Sequence, residues 1–197
     1  MGKYTRIPAE TFKQLAINAG LVLNKFDPKT GKVEEQDIMF ATSGGSEFTA
    51  KPSFTDYGDD IDNCPANMME LKRIDSWEVA MKGTALTATT TSLKSIAGAA
   101  DIDSKDTTKI VPRKDLKTDD FKDIWWVGDY GAEGFVAIHL LNALSTGGLS
   151  IKSKDKGKGE FAFEYTAHTS MKAQDTVPFE IYVSEKAASP ANSSDSH

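Results

Sequence analysis

Phe48-Thr49-Ala50-Lys51-Pro52-Ser53-Phe54-Thr55 sets Phe48, Ala50, Pro52 and Phe54 on one side and Thr49, Lys51, Ser53 and Thr55 on the other. After an intervening polar stretch, Trp77, Val79 and Met81 are opposed in the same way by Glu78, Ala80 and Lys82. A period of two residues describes a β-strand with one face buried and one face solvated. Pro52 marks an edge or a bulge, because proline has no N–H to give to a ladder. Outward from this pair, β signals dominate. Ala16 to Phe26 reads as a Leu- and Val-rich strand ended by the turn Asp27-Pro28-Lys29-Thr30-Gly31. Gln36–Ala41 and Glu47–Thr55 are expected as a hairpin-like pair joined through Ser43-Gly44-Gly45.

Downstream, Thr89-Thr90-Thr91 supplies an N-cap, and Leu93, Ile96, Ala97 and Ala100 follow at helical spacing, which predicts one helix over about 90–100. Strands are predicted over Phe121–Asp129, Phe135–Ser145, Leu149–Ser153, Glu160–Thr169 and Phe179–Val183. Strands joined by tight turns with one inserted helix indicate a mainly-β sandwich or barrel. The stretch 57–73 breaks the alternation with a long polar loop, and loops of such length inside a domain are often functional.

The chain has 197 residues, 23 Lys+Arg against 29 Asp+Glu for a net charge of -6, and one cysteine. That length suits one domain, expected over 1–185, with the Ala/Ser/Asn-rich stretch 186–197 expected to be a disordered tail. A mildly acidic chain lacks the basic face that duplex-DNA binders use to neutralise phosphates. A lone Cys64 leaves no partner for an intrachain disulfide or a multi-cysteine metal site. No apolar run reaches the roughly 18–20 residues of a membrane span. Met1-Gly2-Lys3-Tyr4-Thr5-Arg6 lacks the apolar core of a signal peptide and places Arg6 where a myristoylation signal wants Ser or Thr. A soluble protein made in a cytoplasm is the expectation.

Candidate chemistry is sparse. His139 and His168 sit in strands and His197 in the tail, with no G-x-S-x-G elbow anywhere. Cys64 precedes proline in an acidic loop that disfavours the thiolate. Asp101-Ile102-Asp103-Ser104-Lys105 opens like a calcium loop but puts lysine fifth and lacks the required glycine. Asp56, Asp59, Asp60 and Asp62 read as a solvated or interfacial loop rather than a converging ligand set. The hairpin Lys152-Ser153-Lys154-Asp155-Lys156-Gly157-Lys158-Gly159 carries lysine at every second position, on one face if extended, without aromatics or arginine for reading nucleic acid. Thr146-Gly147-Gly148 opens no helix and cradles no phosphate. No enzyme, cofactor or metal site is expected.

The order of elements is the more telling feature. Phe54-Thr55-Asp56-Tyr57-Gly58-Asp59-Asp60-Ile61-Asp62, Leu71-Lys72-Arg73-Ile74-Asp75-Ser76-Trp77-Glu78-Val79, Thr108-Lys109-Ile110-Val111-Pro112-Arg113, Asp123-Ile124-Trp125-Trp126-Val127-Gly128-Asp129-Tyr130 and Val177-Pro178-Phe179-Glu180-Ile181-Tyr182-Val183 follow one another in that order. Jointly this resembles the major tail (tail tube) proteins of long-tailed bacteriophages and prophages of Gram-positive bacteria, from about Ala16 to Val183. The resemblance implies a β-sandwich-like subunit with one flanking helix, six copies in a ring, and rings stacked into a hollow tube that conducts the genome. Its partners would be further copies of itself, other tail proteins at the tube ends and DNA passing without specific binding, in a virion tail and away from any membrane. Unprotected edge strands favour pairing with another chain, closure by rotation gives a ring, and non-closing stacking gives a filament. The alternatives are the tube of a phage-derived contractile particle or bacteriocin, and a β-sandwich binding module of a tail tip. Some relatives carry an additional surface domain; none is expected here.

The resemblance places the strands about 47–55, 75–87, 135–153 and 160–169 in an inner sheet. Phe54, Trp77, Val79, Met81, Phe161, Phe163 and Tyr165 are then core residues, because a wet bore does not compensate so much exposed apolar surface. Alternation assigns Lys51, Ser53, Glu78, Lys82, Glu160, Glu164 and Thr166 to the lumen, as a mildly anionic wall. Asp59, Asp60, Ile61, Asp62, Pro65, Met68 and Met69 are the candidates for contact between stacked rings.

Overall fold

A computed structural model describes residues 7–8, 10–131 and 133–185, so the stretch 186–197 lies outside the described residues. The chain runs β1 (Ala16–Leu23), β2 (Ile38–Phe40), β3 (Thr42–Asp56), β4 (Lys72–Ala85), α1 (Thr90–Ala97), β5 (Ala100–Ile102), β6 (Ile110–Pro112), β7 (Lys122–Tyr130), β8 (Gly134–Ser145), β9 (Ser150–Lys152), β10 (Glu160–Thr166) and β11 (Phe179–Ser184). Nine strands join one sheet in the order β2-β1-β7-β8-β10-β4-β3, with β11 beside β8 and β9 beside β10; β5 and β6 pair separately. Each pairing is antiparallel. The sheet does not close into a barrel.

The sheet has two wings. One is β2-β1-β7-β8-β11 and the other β9-β10-β4-β3, joined where Leu144 and Ser145 meet Thr166 and Tyr165. Asn142 marks the bend in β8. Its φ is +48°, the Asp123 carboxylate accepts its backbone N–H at 3.1 Å, and its side-chain amide donates to the His168 carbonyl at 3.1 Å. A register shift between Lys122 and Ile124 accompanies it, as expected of a bulge that turns a strand. The wings thereby share a core: Val22, Ile124 and Leu140 from one, and Val79, Met81, Phe163 and Tyr165 from the other. The first wing also buries its far face, where Phe26 packs on Trp125 and Phe135 at ring separations of 5.6 and 5.2 Å. Trp125 and Trp126 accordingly serve opposite faces. Trp126 lies over a groove of glycines, since a Cβ on Gly20 or Gly128 would fall 2.6 or 2.5 Å from its indole.

The expected helix is present but shorter. Thr89 caps it, accepting the Ser92 N–H at 3.1 Å while the Ser92 hydroxyl accepts the Thr89 N–H at 2.8 Å. It ends at Ala97 because Gly98 turns left-handed at φ +74°, so Ala100 belongs to β5 instead. The expected hairpin of Gln36–Ala41 with Glu47–Thr55 is corrected: β2 pairs with β1, and β3 with β4. Gly44 and Gly45, at φ +74° and +80°, form a bulge inside β3 between Ser43 and Ser46. The β5–β6 insertion, to which the sequence reading assigned no element, is held by Arg113, which contacts Asp120 at 2.5 Å and Asp101 at 2.9 Å.

Candidate functional site

The residues expected to form a wall lie on one surface of the β10-β4-β3 wing. Register sets Lys51 opposite Glu78, Ser53 opposite Ser76, Glu164 opposite Lys82 and Thr166 opposite Ala80. Glu160, two residues before Ala162 and four before Glu164, shares their side by alternation. The same surface holds two charges the sequence reading missed. Glu47 sits across from Lys82 with an ion pair of 3.3 Å, and Lys152 sits across from Glu160. Four carboxylates (Glu47, Glu78, Glu160, Glu164) thus stand among three lysines (Lys51, Lys82, Lys152), which leaves the same excess of one carboxylate as in the expected wall but makes the surface denser in both signs. Both members of the Glu47–Lys82 pair are more than half exposed, so it contributes little stability.

On the opposite side of this wing, Val79, Met81, Phe163 and Tyr165 are buried and Trp77 and Phe161 partly so. Tyr165 is sealed in: its hydroxyl meets the Ser95 hydroxyl at 2.9 Å, and burial pushes the phenol up to about 12. Phe54 departs from expectation. It is 51% exposed, because a register shift after Ser53 sets it beside the equally exposed Ile74 instead of against the core. Lys72 covers its ring at 5.3 Å. The β8 strand also departs from the expected inner sheet, since it borders β10 only at Leu144 and Ser145.

The loop between β3 and β4 grows from Asp56. Its Oδ1 accepts the Gly58 N–H at 2.9 Å and its Oδ2 the Asn67 N–H at 3.0 Å, while Tyr57 N–H donates to the Leu71 carbonyl at 3.1 Å. Asn63 and Asn67 take the left-handed conformation that asparagine tolerates, at φ +59° and +63°. Gly58 is buried against Cys64 and Leu71, and Cys64 Sγ lies 3.5 Å from Met68 Sδ. Tyr57, Ile61 and Met69 stay outside this packing and are exposed, Met69 by 81%, and Met68 is itself partly open to solvent. Asp59, Asp60, Asp62 and Pro65 are exposed beside them. The seven loop candidates therefore share one end of the hairpin, adjoining Phe54 and Ile74.

The chain matches no family model and no curated protein. Among solved structures it is similar to a chain of the virion of a native gene transfer agent particle, at 8% identity and a TM-score of 0.37, covering 77% of this chain and 92% of that one.

Several polar clusters elsewhere are tied up by one another. Asp101 meets Lys117 at 2.7 Å besides Arg113, and the Lys117 hydrogen bond holds its carboxyl below the usual range; Asp103 meets Lys109 at 3.7 Å. His139 stacks on Trp125 at 3.8 Å, with Glu180 at 3.2 Å and Asp123 at 3.4 Å. The Tyr182 hydroxyl donates to Glu180 at 2.6 Å and, with His139, lowers that carboxyl. His168 reaches the Asn142 carbonyl at 3.3 Å, edge-on to Phe121. Among the described residues no three His, Cys, Asp or Glu side chains are grouped to hold a metal ion, and no helix is long and apolar enough to cross a membrane.

Proposed function

We propose that this chain is a structural virion protein, the subunit of a phage tail tube, whose hexameric rings stack around a bore that conducts the genome. The carrying observation is the two-sided β10-β4-β3 wing. It has a polar solvent-facing surface of mixed charge, an apolar core-facing surface, and β3, fifteen residues long, as an edge that pairs only with β4 among the described residues. Such an edge is a template for another chain. A surface dense in both signs would neither attract nor firmly hold a polyanion, which suits passage of DNA better than a basic surface would. Lys51, Ser53, Glu78, Lys82, Glu160, Glu164 and Thr166 are the lumen residues in this reading.

The second support is the loop end. Exposed Tyr57, Ile61, Met69, Phe54 and Ile74 gather where the β3–β4 hairpin runs past the core, and apolar groups so placed mark an interaction surface. In the assembly they would be covered by the next ring. Other tail proteins would terminate the stack, and the protein would reside in the virion. Negative-stain microscopy of the concentrated full chain tests this. Six-fold rings with a central hole, or tubes of stacked rings, are expected; a chain that stays monomeric at every concentration overturns the reading in favour of a binding module.

A further inference from the structure

The lysine hairpin remains without a role in that reading. In the structure its lysines do not share one extended face: the chain turns at 154–157, where Lys156 is left-handed at φ +51° and Gly157 N–H donates to the Lys154 carbonyl at 3.2 Å. The turn projects from β9 and β10, and every residue from 151 to 159 is exposed.

Its position relative to the acidic loop follows from register. Asp56 pairs with Lys72 at one end of β4, whereas Thr42 and Phe161 both pair with Ala85 at the other. The loop 57–71 extends past the first end and the turn 153–159 past the second. Thirteen residue steps of β-strand separate the two, roughly 40 Å at about 3.3 Å per residue. The loop 57–71 carries Asp59, Asp60, Asp62 and Glu70 and no base, while 152–159 carries four lysines against Asp155. Among the described residues, no ion pair engages Asp59, Asp60, Asp62, Lys152, Lys154, Lys156 or Lys158. One wing thus carries an unpaired anionic pole and an unpaired cationic pole at opposite ends of its strands.

We infer that the lysine hairpin of one copy docks on the Asp59–Asp62 segment of a second copy, so that charge sets the direction of head-to-tail stacking. This rests on the tube reading and names the contact that orders its rings. The occupant is a second copy because the complementary charge lies on the same chain at the opposite end. A contact between two different surfaces of identical chains also repeats without closing, which yields a filament. Complementary poles moreover oppose an inverted subunit, which would set like charges together.

Charge exchange tests it. Lys154→Glu/Lys156→Glu/Lys158→Glu and Asp59→Lys/Asp60→Lys/Asp62→Lys are made separately and combined in one chain, with circular dichroism to verify folding. Each single-pole variant is expected to lose tubes, whereas the combined variant and a mixture of the two single-pole variants are expected to regain them. Wild-type tubes should shorten or disperse near 1 M salt, where the Debye length falls to about 3 Å. If wild-type protein forms neither rings nor tubes, the tube reading itself fails. If wild type assembles and the single-pole variants do too, or the combined variant does not recover, this pairing is overturned. Lysine variants that build normal tubes but release bound DNA would assign the hairpin to nucleic acid instead.

Discussion

Shortening Ile96 to alanine removes the side chain by which α1 is anchored. Ile96 is fully buried, at 0% exposure, in the core shared by both wings. Its backbone carbonyl also accepts the Ser145 hydroxyl at 2.5 Å, and its neighbour Ser95 meets Tyr165. These hydrogen bonds hold the backbone in place, so the helix cannot readily collapse into the space left behind. Loss of a buried isoleucine to alanine costs about 2–5 kcal/mol, and a site braced in this way belongs in the upper half of that range. A domain of this size loses about 2–4 °C of melting temperature per kcal/mol, which predicts a fall of roughly 7–20 °C. Ile96→Val, at about 1 kcal/mol, should move it only by about 2–4 °C. Ile96→Asp buries an unpaired carboxylate and approaches the whole stability of a domain, about 5–15 kcal/mol. Calorimetry should use unassembled subunits, because assembly stabilises the folded state by mass action. A melting temperature of Ile96→Ala within about 1 °C of wild type would show that α1 does not seal the core.

Three further outcomes follow from local geometry. Asp56→Ala removes the acceptor of both the Gly58 and Asn67 N–H groups; it is expected to leave far-ultraviolet dichroism unchanged, to speed proteolysis within 57–71, and to abolish tubes, as deletion of 63–69 should. Gly20→Ala forces a Cβ to 2.6 Å from Trp126 at φ +71°, whereas Gly44→Ala meets nothing within 4 Å at φ +74°; the first should cost clearly more than the roughly 1–2 kcal/mol of left-handed strain expected for the second, read by denaturant titration. The hydrogen bond from Arg113 holds the Asp120 carboxyl below its ordinary value, so its contribution is complete above the unfolded value near 4 and is lost as pH falls through the lower folded value; acid melts of Asp120→Asn should therefore fall less steeply than those of wild type below about pH 4.

Sequence periodicity was most informative where one face of a strand meets water. Lys51, Glu78, Lys82 and Glu164 share a surface because Val79, Met81, Phe163 and Tyr165 are buried behind them. The pattern failed where geometry depends on distant partners. Gly44-Gly45 has the composition of a hairpin turn, but β3 continues through it as a bulge because β4 supplies the ladder on both sides. Gly98 ends the helix one turn early, where a Cβ would lie 3.0 Å from the Ser145 carbonyl oxygen, a neighbour 47 residues away in sequence and invisible to helical spacing. The β5–β6 insertion has no apolar rhythm to read, since its order comes from the Arg113 ion pairs. Phe54 continues the alternation of its own segment yet lies exposed, because the register shift beside it involves its partner strand β4, which the segment alone does not reveal. The loop was legible as a long polar interruption; the Asp56 bridge that shapes it was not.

Accessibility of the polar surface in the assembled state decides whether it lines the bore. Glu78→Cys and Glu164→Cys, each in a Cys64→Ser background, are placed in tubes and treated with a thiol reagent too large to enter the bore. A bore-lining surface should label only at tube ends, and rapidly once the tubes are dissociated into subunits. Ready labelling along intact tubes would place this surface on the outside and overturn its assignment to the lumen.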